Sequence, residues 1–373
     1  MRPASFTTGL ILSQINPSPF KQGPACPGPI TKDITRTHHG NEEVMHHLKA
    51  YAKKLWKKIV LAFLGFILIV GLVLSIPWDT AAPAAQPQPV RSYTSAMERI
   101  GLLQAEESNL NPLCRALVMT HGQKTSRVIV FMHGFTNCPE QFRELGQRFY
   151  NLGYNVLILP APHHGLANRL TDEQQQLTEG DVVNWTNQSA DIAAGLGDHT
   201  TMAGISMGGV ATAWAAQHRG DIDQAVLIAP AFGFLRIPAP FTTAIANLLV
   251  FSPNSFQWWD PALQDKPGPE YAYPRFSTQA LGRFTTLGLS IQAEARHTAP
   301  AAHSILVITN AHDPAVNNDL TAQLAQNWQS HGARLTTYTF AAELGLSHDV
   351  IDPHSKDSNF ALVYPRLIEL IDQ

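Results

Sequence analysis

Residues 204–208, which read G-I-S-M-G, have the types and spacing expected around a nucleophilic serine. Glycines two positions before and after the serine carry no side chain, so a strand, a sharp turn and a helix can crowd together and push the serine outward. Residues 200–205 are mostly apolar, as in a buried parallel strand, and residues 210–218 are rich in helix-forming alanine. Ser206 is therefore a candidate nucleophile, and an ordinary glycine-rich turn is the alternative.

A second glycine turn, H-G-F-T-N at residues 133–137, follows the first predicted strand. Acyl transfer places negative charge on a carbonyl oxygen, which two backbone N–H groups stabilise. We expect one N–H from Met207, the residue after the serine, and the other from Phe135, since Gly134 allows the backbone to turn toward the site. The alternative is a tight turn that contains a structural His133.

An acid and a base are expected after the serine, on loops that follow later strands. Asp313 comes directly after a predicted strand, and His348 follows the last predicted strand in a glycine-containing loop. Asp313 is the candidate acid, with helix capping as the alternative, and His348 is the candidate base. We interpret His312, His331 and His354 as solvated or structural.

Positioning these groups requires alternating strands and helices. Short apolar segments rich in β-branched residues predict strands at residues 127–132, 155–159, 200–205, 224–229, 304–309 and 335–340. Helical spacing of apolar residues predicts helices at residues 139–152, 178–195, 208–218 and 317–330 and from about residue 357. The fold class predicted for residues 91–373 is α/β, with a mostly parallel central sheet and helices on both faces.

Taken together, these motifs resemble the α/β-hydrolase superfamily, nearest the carboxylesterase and monoacylglycerol-lipase-like serine hydrolases. The resemblance covers residues 125–373 and rests on four runs: H-G-F-T at 133–136, G-I-S-M-G at 204–208, D-P-A-V at 313–316 and S-H-D at 347–349. It implies the α/β-hydrolase fold, a catalytic triad of the serine, aspartate and histidine named above, and an oxyanion hole formed by the amides of Phe135 and Met207. Residues 163–165 read H-H-G in place of the R-G-H-G run common in lipase-like members.

A long insertion separates two of the predicted strands. About 70 residues lie between the strand at 224–229 and the strand at 304–309, which is more than one crossover helix requires. The front half of this segment is aromatic and apolar. We predict a helical cap at about residues 231–300, with Phe251, Trp258 and Trp259 lining an acyl pocket. Extra helices packed as ordinary core are the alternative.

The chain also contains an uncharged apolar run of 18 residues, 59–76, which is long enough to cross a bilayer as a helix. Four lysines lie in residues 53–58, and no Lys or Arg follows the run until Arg91. This asymmetry predicts a single-pass membrane anchor with the catalytic domain outside the cytoplasm. A signal peptide cleaved near residues 82–84, and hence secretion, is the alternative. Residues 77–90, rich in Pro and Ala, are predicted to be a spacer.

Charge is distributed unevenly along the chain. Residues 1–58 hold nine Lys/Arg and three Asp/Glu. They are predicted to be a disordered, basic, cytoplasmic segment. Translation starting at Met45 is an alternative, because a short basic region there runs directly into the apolar segment. The rest of the chain holds 17 Lys/Arg and 26 Asp/Glu. Nucleic acid is therefore not an expected partner, because phosphate binding requires a basic face.

Three cysteines are present, with Cys26 in the predicted disordered segment and Cys114 and Cys138 in the exported domain. A disulfide between the last two and a pair of buried free thiols both stay open. The sequence carries no metal-ligand spacing and no phosphate-binding glycine loop, so no metal and no cofactor is predicted.

The function predicted from these residues is hydrolysis of a small-molecule acyl ester. Ser206 attacks the carbonyl carbon, His348 takes the serine proton, Asp313 orients the imidazole, and water resolves the acyl-enzyme. Thioesterase, amidase or peptidase chemistry on the same three residues is one alternative. A catalytically silent extracellular binding module is the other.

Overall fold

A computed structural model describes residues 35–77, 82–265, 268–355 and 359–373. The predicted disorder of residues 1–34, Cys26 within that segment, and the predicted start of the last helix at residue 357 lie outside the described residues. The chain divides into two units, residues 1–66 and residues 67–373.

The elements alternate between helices and strands along most of the described chain. The helices are α1 (Thr35–Leu74), α2 (Tyr93–Glu106), α3 (Arg143–Asn151), α4 (Glu179–Leu196), α5 (Met207–His218), α6 (Thr242–Phe251), α7 (Thr278–Ala295), α8 (Asn318–Ser330) and α9 (Phe360–Ile371). The strands are β1 (Leu117–Met119), β2 (Thr125–Met132), β3 (Asn155–Ile158), β4 (Gly197–Ile205), β5 (Gln224–Ile228), β6 (Phe256–Trp258), β7 (Arg275–Ser277), β8 (Ser304–Asn310) and β9 (Leu335–Phe340).

Helix α1 contains the apolar run of residues 59–76 up to Leu74. Its segment Glu43–Leu74 is long and apolar enough to cross a membrane, a property that signal sequences share. Residues 35–58 are helical too, contrary to the disorder predicted from composition. The physical reason is that Leu, Ala and Lys favour helix, and a long helix extends more easily than a new one nucleates.

A seven-stranded sheet in the order β1-β3-β2-β4-β5-β8-β9 forms the centre of the second unit. The β1–β3 pair is antiparallel, and the other neighbouring pairs are parallel. This confirms the predicted α/β fold with a mostly parallel sheet. Edge strand β1 and helix α2 were not predicted, because three half-buried strand residues and a helix that buries only Ala96 and Ile100 have weak periodicity.

The sheet is covered on both faces. Along β2, Val128, Val130 and Met132 belong to one core cluster, whereas Ile129 and Phe131 belong to another. Successive side chains of a strand point to opposite faces, so the two clusters are the two helix-covered sides of the sheet. Burial on both faces explains why the central strands read as continuous apolar runs.

The proline-rich stretch of residues 82–90 packs against α4 and α5, so the spacer prediction is wrong for these residues. The Trp214 Nε1–H donates a hydrogen bond to the Pro83 carbonyl oxygen at 3.0 Å, and the Gln88 N–H donates to Asp191 Oδ1 at 3.0 Å. Proline removes backbone donors but leaves carbonyl acceptors, which the folded unit can satisfy. Residues 78–81 of the predicted spacer lie outside the described residues.

Helix α5 approaches β2 and β4 more closely than side chains would allow. A Cβ placed on Gly204 would lie 2.1 Å from the Gly208 carbonyl oxygen, and a Cβ on Gly208 would lie 2.0 Å from the Met132 carbonyl oxygen. Both contacts are with backbone, which has little freedom to move away. The two glycines of the serine motif are therefore required by the packing of the sheet against the helix.

We expect Gly204→Ala to lower the melting temperature sharply or to prevent folding, because the added methyl group overlaps backbone atoms. Gly101→Ala in α2 is the matched control, since a Cβ there meets nothing within 4 Å and alanine favours a helix by about 1 kcal/mol over glycine. Thermal melts of the two purified variants test this. Equal melting temperatures for Gly204→Ala and the wild type would contradict the packing argument.

Candidate active site

Ser206 stands at the turn from β4 into α5, with φ 57° and ψ −116°. A non-glycine residue rarely adopts a positive φ, and such strain persists only when the surroundings hold it. Here the Ser206 N–H donates to the Ile228 carbonyl oxygen at 3.1 Å, and the Ser206 carbonyl oxygen accepts from the Ala231 N–H at 3.2 Å. The side chain is partly exposed between two buried neighbours, as a nucleophile requires.

The loop after β2 lies directly beside this serine. A Cβ placed on Gly134 would be 3.6 Å from Ser206 Cβ. Phe135 and Met207 are buried, and within the described part of the chain neither backbone N–H donates a hydrogen bond. Unpaired buried N–H groups are rare, and two of them beside a serine hydroxyl are suited to binding an oxyanion.

Asp313 and His348 meet at the same edge of the sheet. Asp313 follows β8 and is buried, His348 lies in the loop after β9, and the Nδ1–Oδ2 distance between them is 2.8 Å. The other carboxylate oxygen of Asp313 accepts hydrogen bonds from the N–H groups of Ala315 at 2.8 Å and Val316 at 3.1 Å. Helix α8 is capped by the Asn317 side chain, so the alternative that Asp313 caps this helix is wrong.

The two groups shift each other's pKa. Burial by itself would raise the pKa of the Asp313 carboxyl, but the hydrogen bond and charge of His348, with the two N–H donors, hold that pKa below its usual value. Burial would lower the pKa of His348, but its hydrogen bond to Asp313 and the charges of Asp313 and Asp349 raise it above 6.5. Because Nδ1–H donates to the carboxylate, Nε2 of the neutral imidazole is left to accept a proton.

Five of the predicted site residues, Ser206, Phe135, Met207, Asp313 and His348, thus lie just beyond the carboxyl ends of β2, β4, β8 and β9. These strands and β5 are successive neighbours in the sheet. Parallel strands end at one edge, so the sheet brings together side chains that are far apart in the chain.

His133, at the start of the loop after β2, has a structural role. Its Nδ1–H donates to the Gly134 carbonyl oxygen at 2.9 Å, and its Nε2 accepts from the Ala161 N–H at 2.9 Å. Burial, with the neighbouring His164, lowers the pKa of His133 to about 3, so the ring is neutral. The ring joins the ends of β2 and β3. Residues 133–137 were open to two interpretations, a tight turn with a structural histidine and an oxyanion loop. The two interpretations are compatible, because the structural His133 precedes the candidate donor Phe135 in the same loop.

Gln141 was missed by the sequence analysis. Its side-chain oxygen accepts from the Gly134 N–H at 2.8 Å, and its Nε2–H donates to Asp349 Oδ2 at 2.8 Å. This buried amide joins the loop that carries Phe135 to the loop that carries His348. A glutamine in a predicted helix has no motif of its own. The sequence signal for this contact was limited to its partner, the aspartate of the S-H-D run.

The two cysteines of the second unit form a disulfide, Cys114–Cys138, with a Cα–Cα distance of 5.2 Å. The free-thiol alternative is therefore wrong. Cys138 directly follows the run of residues 133–137, so the disulfide ties the end of the candidate oxyanion loop to the segment before β1. The candidate oxyanion loop is accordingly restrained by a covalent bond at its end.

The insertion predicted as a cap divides into two parts. Helix α7 buries residues in the main core, so the core alternative is correct for this helix. The part before it contains α6 and a two-stranded sheet of β6 and β7, whose three-residue strands carry no predictive pattern in the sequence. Of the predicted pocket residues, Phe251 at the end of α6 is 63% exposed, and Trp258 pairs with Arg275. Trp259 donates from Nε1 to Thr136 Oγ1 at 2.8 Å, beside the candidate oxyanion loop.

We expect Asp349→Asn to lower the pKa of His348, because it removes a negative charge that favours the imidazolium. An NMR titration of the imidazole measures this. Asp198→Asn is the control, since Asp198 pairs with Lys124 at 3.0 Å at the start of β4, away from the carboxyl edge. A pKa that rises in Asp349→Asn, or that falls equally in the control, would contradict the assignment.

The chain resembles known proteins in sequence and in fold. Residues 123–350 match the family model described as serine aminopeptidase, S33. No curated protein sequence matches the chain. The solved structure of a metagenome-derived lipolytic enzyme is 21% identical with a TM-score of 0.50, over 70% of this chain and 99% of that one. A soluble variant of monoglyceride lipase from Saccharomyces cerevisiae is 15% identical with a TM-score of 0.53, over 69% and 91% of the respective chains.

At these identities the likeness to solved structures concerns the fold. The family match, in contrast, spans more than half of the chain. The resemblance to the α/β-hydrolase superfamily drawn from the sequence is confirmed, and the chain belongs to the serine aminopeptidase S33 family of α/β hydrolases.

Proposed function

We propose that this protein is a serine hydrolase that cleaves carboxylic esters. The observation that carries the proposal is the pairing of a partly exposed histidine with a buried aspartate at 2.8 Å, on the sheet edge where a strained serine stands. A serine at a sharp strand-to-helix turn, followed in the chain by an aspartate and a histidine, is the arrangement that acyl transfer uses in this fold.

In the proposed reaction, Ser206 Oγ attacks the ester carbonyl carbon while its proton passes to Nε2 of His348. The N–H groups of Phe135 and Met207 stabilise the oxyanion. When the tetrahedral intermediate collapses, the C–O bond to the alcohol breaks and His348 returns the proton to the leaving oxygen. Water then attacks the acyl-enzyme by the same route, and Asp313 stabilises the imidazolium in both halves.

The surroundings of the loop favour an apolar acyl group over a charged one. The Phe135 ring lies 5.0 Å from Phe284, 6.4 Å from Phe276 and 6.4 Å from Trp259, measured between ring centroids. The two solved structures with the same fold are described as a lipolytic enzyme and a monoglyceride lipase. An ester with an apolar acyl chain therefore fits this setting better than a free amino terminus.

A second candidate is peptide or amide hydrolysis, which the description of the matching family names and which uses the same residues. A panel of p-nitrophenyl esters of increasing acyl length, set beside aminoacyl p-nitroanilides and an acyl thioester, separates the three leaving groups. Turnover of the anilides alone would replace the ester proposal.

Phe251 and Trp258, in the segment between β5 and β8, are proposed to contact the acyl chain of the substrate.

We expect a fluorophosphonate probe to label the protein at Ser206, and Ser206→Ala to abolish both labelling and ester turnover. The loss in turnover is about a million-fold when a serine of this kind is removed. Ser330→Ala, at the exposed end of α8, is the control and keeps both. Mass spectrometry of the labelled peptide identifies the site. Labelling elsewhere would refute the nucleophile, and no labelling at all would favour a silent binding module.

We also propose that α1 anchors the protein in a membrane with the second unit on the extracytoplasmic side. The support is threefold: an apolar segment of sufficient length, a lysine-rich approach without Lys or Arg on the other flank until Arg91, and a disulfide, which forms in oxidising compartments. The partner of this segment is lipid, and the alternative is a cleaved signal and secretion.

External protease added to intact cells, or to spheroplasts where an outer membrane exists, is expected to digest the second unit while a cytoplasmic marker survives. The positive charges beside the apolar segment are retained on the cytoplasmic side, so the opposite orientation is disfavoured. Complete protection of the second unit would overturn this topology. Release of the intact unit into the medium would favour the cleaved signal.

A further inference from the structure

The loop beside Ser206 contains a second strained residue. Thr136, which directly follows Phe135, has φ 67°. A β-branched residue is an outlier in this left-handed region, so the surrounding structure must hold it there. Because Thr136 adjoins Phe135, its backbone conformation helps to set where the loop places the Phe135 peptide.

The restraint comes from the cap. The Thr136 carbonyl oxygen accepts a hydrogen bond from the Tyr273 N–H at 2.7 Å, and its Oγ1 accepts one from the Trp259 Nε1–H at 2.8 Å. The Thr136 hydroxyl in turn donates to the Phe135 carbonyl oxygen at 2.6 Å. An indole N–H, a hydroxyl and a backbone carbonyl therefore form one chain of hydrogen bonds, in which each bond polarises the next.

Phe135 is consequently held from both sides. On one side Gln141 accepts from the Gly134 N–H at 2.8 Å, and on the other side Thr136 donates to the Phe135 carbonyl oxygen. The Gln141 restraint connects this loop to the loop that carries His348, through Asp349. The Thr136 restraint comes from Tyr273 and Trp259, both in the segment between β5 and β8.

Trp259 is itself fixed to the small sheet of the cap. Its N–H donates to the Pro274 carbonyl oxygen at 3.2 Å, and its ring packs on Phe276 with centroids 4.2 Å apart. The side chain is 48% exposed, so much of the ring remains outside the core while the indole N–H reaches Thr136. This placement differs from that of a residue that only lines a pocket.

We propose that Trp259 is a positioning residue for the oxyanion hole, which it holds through Thr136 and thereby couples to the cap. This inference rests on the proposed ester hydrolysis and assigns Trp259 a role beyond the acyl pocket. A residue that positions the Phe135 N–H acts on transition-state stabilisation, so its loss lowers kcat for acyl chains of every length. A pocket residue instead changes KM or the preference among chain lengths.

The test uses the full-length protein in detergent. Trp259→Phe keeps an aromatic ring but removes the N–H, and Thr136→Val keeps the β-branched shape but removes the hydroxyl. We expect each variant to lower kcat about tenfold, less than the loss of an oxyanion donor itself, with KM within about twofold of the wild type. The double variant is expected to be no slower than either single one, since both break the same chain of hydrogen bonds. Thr136→Ser is expected to retain kcat.

Trp328→Phe is the control. Trp328 lies in helix α8, and its indole N–H donates a hydrogen bond to Gln217 Oε1 at 2.6 Å, which the substitution removes. It is expected to lower the melting temperature and to keep kcat. An unchanged kcat in Trp259→Phe, losses that multiply in the double variant, or a change confined to chain-length preference would each overturn the positioning role.

Hydrogen–deuterium exchange gives a readout that does not depend on activity. In Trp259→Phe, amides of residues 133–138 are expected to exchange faster, while those of residues 207–218 in α5 keep their wild-type rates. Unchanged exchange in the loop would overturn the inference. If the wild type turns over no ester and takes up no fluorophosphonate, the proposed function fails, and the exchange rates still decide whether Trp259 holds the loop.

Discussion

The close approach of helix α5 to the ends of β2 and β4 is the constraint on which the candidate site depends. Gly208 lies so near the Met132 carbonyl oxygen that a methyl group would overlap it, and Gly204 is equally close to Gly208. This contact forces the sharp turn at Ser206. It also holds the end of β2, from which the loop with Phe135 emerges, beside the serine. One packing contact therefore sets both the serine turn and the loop next to it.

The electrostatics of the site follow from the same edge of the sheet. Asp313 is buried, which alone would favour its protonated form, but three hydrogen-bond donors keep it ionised. The ionised carboxylate fixes the tautomer of His348 and raises its pKa. Neither pKa shift is a property of one residue alone. Both arise because loops after β8 and β9, neighbouring strands, bring the side chains into contact.

The segment between β5 and β8 shows how one insertion serves two purposes. Its last helix, α7, completes the core on one face of the sheet, and Phe284 of this helix also packs against Phe135. The preceding α6 packs against α7, and β6 and β7 form a separate two-stranded sheet. Trp259 joins this part to the strained Thr136, so the insertion contacts the loop beside the serine.

Local sequence determined the elements whose signal is continuous and strong. The six longer strands of the sheet and the glycines around Ser206 follow from patterns of a few consecutive residues, because burial on both faces and close backbone contact restrict residue type locally. The order of the serine, aspartate and histidine motifs along the chain could also be identified from the sequence. These features were sufficient to predict the fold class, and they lead to five candidate site residues that stay predictions.

Tertiary structure decided what depends on contacts between distant segments. Whether Cys114 meets Cys138, whether α7 is cap or core, and whether residues 82–90 pack on the domain are matters of distance, which composition does not encode. Gln141 and Trp259 carry no motif, since a single hydrogen bond across the fold constrains one atom and leaves no periodic pattern. The sequence therefore determined which residue types are available for chemistry, and the fold decided which of their atoms meet.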